Sequence, residues 1–171
     1  MIRLLLLATA LLGVNTAFAQ LSDGEGHMIT LPGKQFSCFL PQHFEVQENP
    51  PGVIHKVSGT FVIVVKMPSQ PQQQQQRMTA QGGLPRSFFE DPRYEITDFR
   101  EESAVSRQSH SQSSDKTYWM EYSLQGHSFG RYTTLKVHGQ DQYLIIGNYP
   151  VVFQDQVLEE VKKIMNSFVI H

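Results

Sequence analysis

DQYLIIGNYPVVFQDQVLEEVKKIMNSFVI, Asp141–Ile170, is the stretch that decides the fold. Tyr143 to Ile146 form an apolar, β-branched run too short for a helix, so the segment opens as a buried strand. Pro150 marks a turn, because proline has no N–H to give a continuing ladder. From there the apolar residues change period. Val157, Val161, Ile164 and Phe168 step by 4, 3 and 4, and Leu158 and Met165 widen that stripe. This spacing predicts an amphipathic helix that starts near Pro150 or Val151 and packs on the strands before it. Glu159 and Lys163 stand i,i+4 on the opposite face, a favourable pair.

Working back from the helix, TYWMEYSL places Tyr118, Met120, Tyr122 and Leu124 on one face of a strand. Gln125-Gly126-His127 turns the chain. SFGRYTTLKV returns with Phe129, Thr133, Leu135 and Val137 on one side, and HGQD turns again into QYLIIGN. Connections this short force antiparallel neighbours, so residues 117–148 read as a three-stranded meander. Before it, YEITDFREESAV reads as a strand in which Tyr94, Ile96 and Asp98 alternate with Glu95, Thr97 and Phe99. SRQSHSQSSDK is a loop by composition.

The N-terminal half is extended. QFSCFLP is a short strand closed by Pro41, and HFEVQENPPG stays extended to a Pro-Pro-Gly turn. VIHKV puts Val53, His55 and Val57 on one strand face. TFVIVVKM is the most hydrophobic stretch beyond the N-terminus and reads as a strand buried on both faces. A Gln-rich insertion follows at 68–93. It lacks an apolar stripe, and its composition admits either a short solvated helix or a linker. Phe88 and Phe89 are its bulky apolar pair, expected to dock it on the core.

At the N-terminus, Arg3, the apolar run Leu4–Val14 and Ala17-Phe18-Ala19 have the order of a secretory signal with an A-x-A cleavage site. The run of eleven apolar-region residues is too short for a permanent membrane anchor. Cleavage after Ala19 is expected, leaving Gln20 first, a flexible arm over 20–34 and a single domain over 35–171. The product is expected to be exported, periplasmic or secreted, and soluble, because no Cys stands at position 20 to carry a lipid. It keeps 152 residues, with 13 basic and 16 acidic side chains. A chain of that size buries roughly two thirds of its unfolded surface. Mild acidity without a Lys/Arg cluster argues against nucleic acid and anionic membranes. With one cysteine, Cys38, no internal disulfide can form.

The order of elements carries a resemblance. An early F-x-x-x-L-P strand (Phe36–Pro41), an apolar strand, a variable insertion, a meander, the strand YLIIGN and the closing helix VLEEVKKIMNSF follow one another. Over residues 35–170 this resembles the PsbP-like family. That family includes a photosystem II extrinsic protein, a Ran-binding nuclear-import factor and DcrB-type bacterial envelope proteins. The resemblance implies an α+β domain: an antiparallel sheet of about six strands with helices on both faces, an α/β/α sandwich. It also implies a binding or assembly module, and it supplies no functional residue.

Motifs for chemistry are sparse. The seven His show no H-x-H or H-E-x-x-H spacing, and no C-x-x-C is present. His127 and His138 stand at opposite ends of one strand, over ~30 Å apart at the usual rise, so they cannot share an ion. No metal and no cofactor is expected. Cys38 and His43, with Asn49 as an orienting group, form the one candidate nucleophile and base; the alternative is a core cysteine and a surface histidine. The adjacent pairs Glu101-Glu102 and Glu159-Glu160 point to different sides and read as solvated surface. Trp119 and Tyr132 are the candidate binding residues, if they face outward from the meander; core aromatics are the alternative. The function expected is an exported, non-catalytic module for a protein or envelope partner. A hydrolase with scattered residues and a small-ligand carrier remain the alternatives.

Overall fold

The structure, a computed structural model, describes residues 26–68, 83–103 and 116–171. Their strands are β1 (Gly26–Thr30), β2 (Phe36–Pro41), β3 (Glu45–Gln47), β4 (Gly52–His55), β5 (Thr60–Lys66), β6 (Glu95–Ser103), β7 (Lys116–Leu124), β8 (His127–His138), β9 (Asp141–Pro150) and β10 (Val169–Ile170). One α-helix, α1 (Gln154–Ser167), follows a 3-10 turn at Val151–Phe153. Seven strands form an antiparallel sheet in the order β3-β4-β5-β9-β8-β7-β6. The meander is as expected: Tyr118 pairs with Thr133, and Thr133 with Ile146. β5 closes on β9, with Val64 opposite Ile145.

The main sheet has seven strands, one more than expected, and a second sheet of three strands stands beside it. In that second sheet β2 lies between β1 and β10. Gly26–Thr30, inside the stretch read as an arm, is thus a strand, and the chain end zips onto β2 through Val169 opposite Ser37. A two-residue strand after a helix leaves no periodic trace in a sequence.

α1 packs on β2, β9 and β5. Its Val157, Val161, Ile164 and Met165 are buried, the stripe that the spacing predicted. They meet Val62, Val64 and Ile145 of the large sheet and Phe36 and Cys38 of β2 in one core. Gly147 lets the helix approach. A Cβ there would lie 2.6 Å from Val161 Cγ1 and 2.7 Å from Met165 Sδ. The far face of the sheet carries a second core of Met67, Leu84, Phe89, Tyr118, Met120, Tyr122, Leu135 and Leu144. Among the described residues that face holds a 3-10 turn, Arg86–Phe88, and no α-helix. Helices on both faces are therefore not seen there; the Gln run, read as either a short helix or a linker, lies outside the described residues.

Four local readings are corrected. β5 is deeply buried on one face only, with Val62 and Val64 inward and Val65 exposed, because α1 covers one side. Val57 falls in the turn after β4 and is 71% exposed. In β6 the register slips between Ile96 and Asp98, so Thr97 is the extra residue of a bulge, and Ile96 and Phe99 reach the same face. Glu159 pairs with Lys162 at 3.4 Å, since Lys163 lies over the Phe39 ring, 3.9 Å from its centroid. Of the Phe pair, Phe89 is buried and Phe88 is exposed.

Candidate functional site

Among the described residues, α1 leaves part of its own side of the sheet without a helix above it: the part built by β6 and β7. There the alternation of three strands sets Arg100, Trp119 and Tyr132 in one cross-strand row on the helix side. Tyr149 completes the floor. Its ring stacks on Tyr132 with centroids 6.5 Å apart, and its hydroxyl accepts from Trp119 Nε1 at 3.3 Å. Gly130 makes that possible, for a Cβ there would run into the Tyr149 ring.

Trp119 and Tyr132 are 8% and 5% exposed, so neither ring is the open outward patch expected of a binding pair. Part of their cover is long cationic side chains rather than another layer of structure. The Arg100 guanidinium lies 4.1 Å from the Trp119 ring centroid, and Lys162 Nζ lies 5.8 Å from that of Tyr132. Such contacts hold a cation against the π-face by its quadrupole. Arg100 also pairs with Glu102 at 3.3 Å. Burial, with Glu102 adding to it, pushes the Tyr132 phenol pKa up, and Arg100 opposes the shift. The phenol stays neutral as a donor and acceptor. Asp98 and Glu121 stand opposite each other on the next row of the same face. The result is a shelf with an aromatic floor, two cations laid over it and carboxylates around the rim.

Cys38 and His43 are not brought into a catalytic arrangement. Cys38 is fully buried between the sheets, and burial pushes its thiol up to about 11, so the thiolate a nucleophile needs is suppressed. His43 is exposed. Among the described residues the buried histidine is His55, which the sequence reading left as an isolated strand residue. Its Nδ1 stands 2.7 Å from Ser58 Oγ. Ser58 donates to Thr60 Oγ1 at 2.8 Å, so the imidazole donates to the serine and does not take its proton. The cluster closes the β4–β5 turn. Burial, with His43 adding, lowers the His55 pKa.

The paired carboxylates separate as expected of neighbours. Glu101 faces Lys116 at 2.8 Å while Glu102 faces Arg100. Glu159 is exposed, but Glu160 is half-buried, and burial raises its pKa against the opposing effect of His43 and Lys163. On the far side, Arg86, Glu90, Asp91, Pro92, Tyr94 and Ile96 line a concavity of about 390 Å³. Hydrogen bonds from Arg93 hold Asp91 down at about 2, fixing it as a carboxylate. Among the described residues, no three His, Cys, Asp or Glu converge as metal ligands, and no helix is long and apolar enough to cross a membrane.

The fold has relatives among solved structures. The Ran-binding protein Mog1p of Saccharomyces cerevisiae matches with a TM-score of 0.51 at 11% identity, covering 86% of this chain and 96% of that one. A point mutant of Mog1 matches with a TM-score of 0.52 at 11% identity, over 85% and 96%. Cyanobacterial PsbP from Synechocystis matches at 0.46 and 11% identity, over 85% and 92%. The chain thus shares its fold with Mog1p, a Ran-binding protein of the kind that the resemblance over residues 35–170 includes. No family model and no curated protein matches the sequence.

Proposed function

We propose that this chain is an exported, non-catalytic binding module, and that the shelf between α1 and β6 is where it holds a protein or cell-envelope partner. The observation that carries the reading is the Arg100 guanidinium stacked on Trp119 beside Tyr132. Trp, Tyr and Arg are the residue types that dominate binding energy at protein interfaces. Here they share one cross-strand row, and the cover over the rings includes side chains that a partner can push aside. The fold is one in which a relative, Mog1p, is named for binding Ran, a protein. The suppressed Cys38 thiol and the donating His55 work against the hydrolase alternative.

Crosslinking in cells followed by pull-down of the tagged protein tests this. One dominant partner at near-equal amounts is expected, lost with Arg100→Glu and kept with Val137→Glu on the far face. No partner, or one indifferent to Arg100, contradicts the reading. Export rests on the N-terminal signal alone, residues outside those described. The intact mass of the mature protein is expected to begin at Gln20; retention of residues 1–19 contradicts it.

A further inference from the structure

Four sheet edges are present among the described residues, and three are blunted. β10 is two residues long. β3 is three residues long and runs into Pro50 and Pro51. β6 carries a bulge and the charges of Glu95, Asp98, Arg100, Glu101 and Glu102. These are the devices by which sheets avoid pairing with other chains. β1, Gly26-His27-Met28-Ile29-Thr30, has none of them: no bulge, no proline, no Asp, Glu, Lys or Arg.

The hydrogen bonds of β2 tell which groups of β1 face outward. Phe39 N–H donates to Ser167 Oγ at 2.7 Å, and Ser37 pairs with Val169, so Ser37 and Phe39 turn their backbone away from β1. Cys38 and Leu40, the alternate residues, turn theirs toward it. Their partners Ile29 and His27 therefore spend their N–H and C=O groups on β2. Gly26, Met28 and Thr30 point theirs outward.

We propose that β1 is a self-pairing edge, and that its occupant is β1 of a second copy of this chain. The argument is the symmetry of the outward set. A two-fold axis at Met28 sets Met28 against its own copy, Gly26 against the copy's Thr30, and Thr30 against the copy's Gly26. Every outward residue then sits in a hydrogen-bonded pair, roughly six bonds in all at two per pair. The closed, isologous contact joins the two three-stranded sheets into one of six. The Met28 side chain, 54% exposed, meets its copy on the face where Phe39 already lies opposite it, and that apolar row becomes covered. No charge on the strand opposes the approach. Five residues a side is a small contact, well under ~1,000 Å², so the dimer is weak and depends on concentration.

Sedimentation of the mature protein from about 10 μM to 1 mM, a range set by the small contact, tests the proposal together with amide exchange at both ends. The expected result is a rising dimer fraction, with the Gly26, Met28 and Thr30 amides protected only at high concentration. His27 and Ile29 amides stay protected throughout. Met28→Lys sets two ammonium groups opposite each other and is expected to leave a folded monomer. A monomer at 1 mM overturns the proposal, as does a dimer unaffected by Met28→Lys. So does protection of these amides only when another protein is added, which assigns the edge to a foreign strand. Partner binding at the shelf is a separate measurement and stands or falls independently.

Discussion

Two side chains show how burial decides chemistry in this protein. Cys38 is an apolar core residue in effect. Its thiol, pushed up to about 11, is expected to react slowly with a thiol reagent at neutral pH until denaturant opens the core. Rapid labelling of the native protein contradicts this placement. His55 carries a linkage of definite sign. Its folded-state pKa is lowered from the ordinary 6.5, so as pH falls through that value the unfolded chain takes the proton first. Stability is unaffected by His55 above that pH and declines below it, down to the folded-state value. Urea unfolding at pH 7.5 and 5.5 checks this. The wild type is expected to lose stability between them, and His55→Asn, which keeps a donor to Ser58, is expected to lose less. An identical loss in both contradicts the account. At this scale the sequence was only partly legible. It offered core cysteine and nucleophile as alternatives for Cys38, and the second sheet against the first is what selects between them. The His55 turn was missed, although His-x-x-Ser-x-Thr across a Gly turn is its signal.

Among the elements, the helix and meander were legible because each has a strict period, 3.6 or 2, sustained over several residues. The failures came where the period breaks. The bulge at Thr97 moved Phe99 to the face of Ile96, and no alternation rule anticipates an inserted residue. β5 was read as buried on both faces because its sequence is uniformly apolar, whereas α1 lies on only one. β1 and β10 are short strands whose pairing comes from tertiary contact with β2. The seat of α1 depends on one position. Gly147→Ala drives a methyl into Val161 and Met165 and is expected to cost ~1–3 kcal/mol, the usual overpacking penalty. Met165→Ala in the Gly147→Ala background opens room for that methyl. The double variant is expected to be more stable than the sum of the two single losses, a coupling read by urea unfolding. Simple additivity contradicts the proposed clash. A milder core test is Ile164→Ala, fully buried under the helix, expected to cost ~2–5 kcal/mol.

For the whole molecule, the two faces of the large sheet differ in what finishes them. The far face carries the 3-10 turn, the Phe89 cluster and a concavity whose carboxylate Asp91 is tied to Arg93. The helix face ends in the shelf, where aromatic rings lie under Arg100 and Lys162. Sequence patterning named Trp119 and Tyr132 as the residues to watch. It did not supply Arg100 or Lys162, because cross-strand register and the position of α1 bring them there. The central claim is that the shelf, not the far face, is the working surface. A photo-crosslinking residue at Asp98, on the shelf edge, and one at Val137, on the far face, test it in the same cells. The account predicts a single protein adduct from position 98, abolished by Arg100→Glu, and no such adduct from 137. The same adduct from 137, or none from 98, contradicts it.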